Sequence, residues 1–184
     1  MTIQVPVSYL QAPTALPLVA GRFYPSLVNG TPGSGQTVVV TANKLYGQLI
    51  WVPNLITATA LIVQVTTGAA GNVRLGIYND SSGAPGSLLL DGGTTTTTAA
   101  AVKTITISQS LSPGLYWLAA VFDAAPTCRL AAGATNVNLG FSSNTDTTLH
   151  MGVDVAFTYA ALPNPFTAGS ILSTVNHPRL LLGV

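Results

Sequence analysis

One run, Leu115-Tyr116-Trp117-Leu118-Ala119-Ala120-Val121-Phe122, sets the terms for the rest of the chain. Read as a strand, it places Leu115, Trp117, Ala119 and Val121 on one face and Tyr116, Leu118 and Ala120 on the other. Both faces are apolar, so this strand is expected to be central and covered on both sides. Turns bound it, with Ser112-Pro113-Gly114 in front.

The same grammar of short runs and turn residues repeats along the sequence. Val73, Leu75 and Ile77 alternate with Arg74, Gly76 and Tyr78, the period of a strand with one buried face. Asn79 to Gly86 gathers turn-forming residues and reads as a reversal, after which Leu88 to Leu90 restarts the apolar pattern. Further strands are expected at Thr37–Thr41, Leu45–Val52 (ended by Pro53-Asn54), Ala58–Thr66, Thr94–Thr98 and Val102–Ser108. Asp91-Gly92-Gly93 reads as a turn. Beyond Phe122, the candidates are Cys128–Ala132, Asn136–Ser142, Thr147–Tyr159 and Arg179–Val184, with a rigid loop at Leu162-Pro163-Asn164-Pro165-Phe166. No stretch carries a 3.6-residue period with caps, so helix should be rare. The expected fold is all-β: an antiparallel β-sandwich, jelly-roll-like, with a closed barrel as the alternative.

Two segments divide the chain. Residues Met1–Val28 contain Pro6, Pro13, Pro17 and Pro25, a spacing hostile to helix and to a central strand. They read as an extended attachment arm, whose apolar residues Ile3, Val5, Val7, Tyr9 and Leu10 would lie on the body of its own subunit or on a neighbour. Residues Asn29–Val184 form the sandwich domain.

Charge narrows the range of partners. Only 6% of the 184 residues are charged, there is no Glu, and the net charge is +1; an average globular chain is about 25% charged. With six basic residues scattered singly, there is no electrostatic footprint for nucleic acid or an anionic membrane. Charge depletion marks interface cores, so a homo-oligomer is expected. Leu49–Val65 is apolar, but Pro53-Asn54 and several Thr split it into strand-like pieces, and no membrane insertion is expected. The first basic residue is Arg22, so no Sec signal is expected. Cys128 is the only cysteine, which excludes an internal disulfide and suits a buried thiol.

Reactive constellations are scarce. Asp146, His150 and Asp154 would share one face of a strand, but successive members would stand roughly 13 Å apart by strand rise. That is too far for a hydrogen bond or a shared metal. Asn79-Asp80-Ser81-Ser82-Gly83 lacks the alternating carboxylates of a calcium loop and reads as a turn. No catalytic residue, cofactor or metal is therefore assigned. The candidate surface contacts are Tyr78, Asp80 and Trp51. Tyr78 is the best exposed of the aromatics and sits with Asp80 beside the Asn79–Gly86 reversal at a sandwich edge. Trp117 is read as core, and Trp51 as core or, where exposed, a stacking platform.

Arg22-Phe23-Tyr24-Pro25, Leu45-Tyr46, Trp51-Val52-Pro53 and Val73-Arg74-Leu75-Gly76-Ile77-Tyr78-Asn79-Asp80, followed by Ala84-Pro85-Gly86-Ser87-Leu88, also carry a resemblance. So do Ile107-Ser108-Gln109-Ser110-Leu111-Ser112-Pro113-Gly114-Leu115-Tyr116-Trp117 and Phe157-Thr158-Tyr159. Together they resemble a β-sandwich virion-surface domain of tailed bacteriophages, found in tail-fibre, minor tail and head-decoration proteins. The resemblance spans Arg22 to the C-terminus, and its motifs are turns and core aromatics. It implies a non-enzymatic structural protein at the surface of a phage particle, commonly trimeric, with other tail, portal-proximal or capsid proteins as partners. Within that class, a tail- or fibre-associated component touching the host, and with it a host surface glycan, comes first. Capsid decoration is the alternative, and a carbohydrate-binding module a further one.

Overall fold

A computed structural model describes residues 16–26, 36–130, 150, 152–167, 171–173 and 177–184. Among these there is no helix, and the strands form two six-stranded sheets with antiparallel pairing throughout. The all-β sandwich expected from the alternation is the fold observed.

The first sheet holds β1 (Phe23–Pro25), β12 (Leu180–Gly183), β4 (Ile56–Thr67), β7 (Ala101–Leu111), β9 (Thr127–Arg129) and β2 (Thr37–Val39). Long β4 is its spine, flanked by β7 on one side and by β12 and then β9 on the other. The second sheet runs β11 (Ile171–Ser173), β10 (Gly152–Ala156), β3 (Lys44–Val52), β8 (Gly114–Phe122), β5 (Asn72–Ser81) and β6 (Ala84–Thr96). Strand β8 is central in it, between β3 and β5.

The alternation of β8 feeds two cores. Leu118, Ala120 and Phe122 point inward with Tyr46, Ile50, Val73, Leu75 and Ile77, and meet Leu61, Val63, Val65, Leu180 and Leu182 of the first sheet. Trp117, Ala119 and Val121 point outward with Leu45, Leu49 and Tyr78. That outer face is covered by residues 157–167, a strap that lays Leu162 and Phe166 on it. Backbone and side-chain bonds stitch the strap down across the sheet. Phe157 N and Tyr159 N donate to the carbonyl and side chain of Asn43, Leu162 N donates to Asp91 Oδ2, and Phe166 N donates to Gly86 O. Asn164 Oδ1 accepts from Leu88 N. Gly76 leaves space for the strap: a Cβ there would overlap Leu162 Cδ1 and sit 2.6 Å from Leu90 O.

Four local expectations are corrected. The reversal expected over Asn79–Gly86 is only Ser82-Gly83, because both adopt positive φ (54° and 84°), the geometry of a tight two-residue hairpin. The Asp91-Gly92-Gly93 turn is a bulge inside β6: Leu75 pairs Gly93 while Gly76 pairs Asp91, and Gly93 takes φ 92°. Phe23–Pro25, assigned to the arm, pairs with β12 as an edge strand, where a proline's missing donor faces no partner. The long strand expected at Thr147–Tyr159 stops at Ala156, the end of β10, where the strap begins; residues 147–149 and 151 lie outside the described residues. Asn136–Ser142 and the arm residues Ile3, Val5, Val7, Tyr9 and Leu10 lie outside the described residues.

Phe166 is buried and packs edge-on against Tyr78 with ring centroids 5.0 Å apart. Phe166→Ala should therefore cost about 3–5 kcal/mol in denaturant unfolding, as for other buried aromatics truncated to alanine. A loss below about 1 kcal/mol would mean that the strap does not seal the sheet.

Candidate functional site

The three candidate contacts fall on the outer face of the second sheet, two in a row near its end and one in the next row. Trp51 on β3 lies directly opposite Leu115 on β8. Asp80 stands on β5 one residue beyond the Asn79–Tyr116 pair, on the same face as Tyr78 and Trp117. Trp51 is 44% exposed and Leu115 41%, and Leu55 in the following loop is more open still. An indole face and a leucine therefore line up at the surface, with the half-buried Asp80 at the end of their row. Such a row can stack on a sugar ring or seat an apolar side chain.

Burial reverses the expectation for one of the aromatics. Tyr78 is not exposed but fully buried, because β5 continues past it to Ser81 and the strap closes over it. Its hydroxyl donates to Pro163 O at 2.8 Å, and burial pushes its pKa up. Trp51 stays at the surface, since the strap covers the rows nearer the sheet's middle. Trp117 is core, as read, and its indole N–H donates to Asp80 Oδ1 at 2.8 Å. The other Asp80 oxygen accepts from Gly83 N at 3.1 Å, so this carboxylate braces the hairpin tip and is half-buried.

The other described carboxylates are also structural. Asp91 takes both 2.8 Å contacts from Arg74 Nε and caps Gly93 N and Leu162 N, joining bulge to strap. Asp123 accepts from the backbone and side-chain nitrogens of Asn72. Asp154 pairs with Lys44 Nζ at 2.5 Å on the inward face. Of the trio Asp146, His150 and Asp154, the last two are buried and Asp146 lies outside the described residues. Cys128 is buried in the core, which raises its thiol pKa to about 12 and keeps it from acting as a thiolate at neutral pH.

Sequence reading missed the polar seam between the sheets. Gln48 is fully buried; it accepts from Ser26 Oγ at 2.9 Å and donates to Pro178 O at 2.6 Å, linking β3 to the segments flanking β1 and β12. Beside it His177 is wholly buried against the Tyr46 ring, with centroids 5.2 Å apart. Neither ring nitrogen has a hydrogen-bond partner among the described residues, and Nε2 stands 4.0 Å from Asp154 Oδ1. Only the alternation of Tyr46, Gln48 and Ile50 toward one face hinted that a polar group would be drawn inside.

No protein-family model matches the chain, and no curated protein matches it.

Burial lowers the pKa of His177 to about 4; nearby Asp154 opposes that shift and Lys44 adds to it. A pKa depressed below its unfolded value of 6.5 means that the unfolded chain binds the proton first. Stability should therefore be fully present above about pH 6.5 and fall as pH drops toward 4, by up to about 3 kcal/mol. Urea titrations of wild type and His177→Gln between pH 4 and 7 check this: the variant should lose most of that slope. An unchanged slope would show that His177 is not its source.

Proposed function

We propose that this chain is a non-enzymatic structural and contact protein at the surface of a phage virion, associated with the tail or fibre and touching the host. One observation carries the non-enzymatic part. Every described carboxylate holds a structural bond and the lone thiol is sealed in the core, while the exposed face offers an indole, aliphatic groups and hydroxyls. That chemistry adheres; among the described residues no carboxylate or thiol is left free to act as an acid, base or nucleophile. The virion setting is supported by the resemblance of Arg22 to the C-terminus to tailed-phage surface domains, and by the near-absence of charge, which suits a permanently assembled protein. In this reading the copies form a homo-oligomer. Residues 1–15 attach it to other virion proteins, and the Trp51–Leu115–Asp80 row contacts a host surface glycan.

Decoration of the capsid is the second reading. It is supported by the same resemblance, which takes in head-decoration proteins as well as tail proteins. Labelling of intact particles with antibody against the sandwich, followed by electron microscopy, separates the two. Label at the tail supports the first reading, label over the head the second, and absence from purified particles overturns both.

Removal of residues 1–15 spares all of the described strands, so the sandwich should keep its unfolding transition while incorporation into particles is lost. Trp51→Ala changes a half-open side chain, so stability should move by no more than about 0.5 kcal/mol. Binding to host cells or to a glycan panel should fall about tenfold or more, a typical loss of a stacking aromatic. Wild-type binding that survives this substitution would remove the row from the contact.

A further inference from the structure

The outer face of the first sheet presents a second surface of a different kind. Its side chains fall in rows across β1, β12, β4 and β7. Phe23, Gly183, Ala60 and Thr106 form one row, and Pro25, Leu181, Ile62 and Thr104 the next. Beyond them Gln64 pairs across to Val102, with Arg179 alongside. The Phe23 ring lies against the Gly183–Ala60 row, where a Cβ on Gly183 would crowd Ala60 Cβ at 3.0 Å and that ring at 3.3 Å, and the next rows are open beside it. The outcome is a depression of about 310 Å³, floored by Ile62 and Leu181 and walled by Val102, Thr104, Gln64 and Arg179. Phe23 stands at its rim, 60% exposed, and Val102 is 59% exposed.

We propose that this face is a two-fold self-association surface, in which Phe23 of each copy enters the depression of the other. A projecting ring and a hole larger than that ring sit side by side on one surface, which is what an isologous contact requires. Among the described residues that line it the one charge is Arg179, whose guanidinium donates to Gln64 Oε1 at 3.2 Å. The incoming phenyl ring would lie against that guanidinium, a favourable cation–π arrangement. Growth by strand addition is obstructed instead. Edge strands β1, β2 and β11 are three residues each, β1 ends in proline, β5 and β6 are offset by three register shifts, and β7 carries one shift and turns Lys103 inward. The equivalent face of the second sheet is already closed by the strap, leaving this face as the apolar one without a described cover.

The inference rests on the self-assembly part of the proposed function and assigns it a surface and a symmetry. Light scattering coupled to size exclusion at micromolar concentration tests it with the full chain. The expected mass is twice that of one chain. Phe23→Ala and, separately, Val102→Glu should each shift the dissociation constant upward by about tenfold or more, while leaving the unfolding midpoint unchanged when it is read at a dilution where wild type and variants are all monomeric. A wild-type monomer overturns both the assembly reading and this surface. A wild-type oligomer that both folded variants leave intact overturns the surface alone, and a mass of three chains overturns the two-fold symmetry. Loss of the oligomer on removing residues 1–15, with both point variants still associated, would assign the contact to that segment and overturn the proposal.

Discussion

Everything in this protein depends on burying one sheet on both of its faces. Strand β8 sends Leu118, Ala120 and Phe122 to one side and Trp117, Ala119 and Val121 to the other, and neither set tolerates water. The first sheet answers the inward set. The outward set is too narrow for a third sheet and is met by eleven residues of strap, 157–167, whose own backbone groups must then find partners at the sheet's rim. Asn43, Gly86 and Asp91 supply them. An irregular segment can lie on an apolar face only where its amides are satisfied in this way.

The scarcity of charge takes on a specific meaning in this setting. The described aspartates are spent on bracing: Asp80 the hairpin tip, Asp91 the bulge and strap, Asp123 the start of β5, Asp154 the inner face. Few are left to keep the surface hydrated and copies apart. The described surface carries two apolar areas of different character: the Trp51–Leu115 row at the end of the strapped sheet and the concave face around Ile62 and Leu181. The first sets a half-exposed indole directly opposite a leucine. The second sets the exposed Phe23 ring at the rim of a hollow.

Two positions show where local signals lose to tertiary demands. Asp91-Gly92-Gly93 has the chemistry of a turn, but β6 must stay beside β5 to cover the sheet edge. The glycines therefore absorb an extra residue as a bulge, and Asp91 becomes the anchor of a strap 71 residues away. Tyr78 precedes a run of turn residues and reads as a strand end, yet the reversal is confined to Ser82-Gly83 and the strap folds over the ring. In both cases the deciding partner, Leu162 to Phe166, is remote in sequence and carries no signal of where it will land.

The sequence by itself determined the all-β sandwich, the central place of Leu115–Phe122, the two-faced burial of that strand and the core position of Trp117. Periodicity reports which faces must leave water, and turn residues report where strands can stop. Only the tertiary structure decided which aromatic stays outside, that His177 and Gln48 share a sealed seam, and that Phe23 stands beside a hollow. Those outcomes depend on which remote segment covers which face. A period-2 pattern specifies that a face is buried without specifying by what.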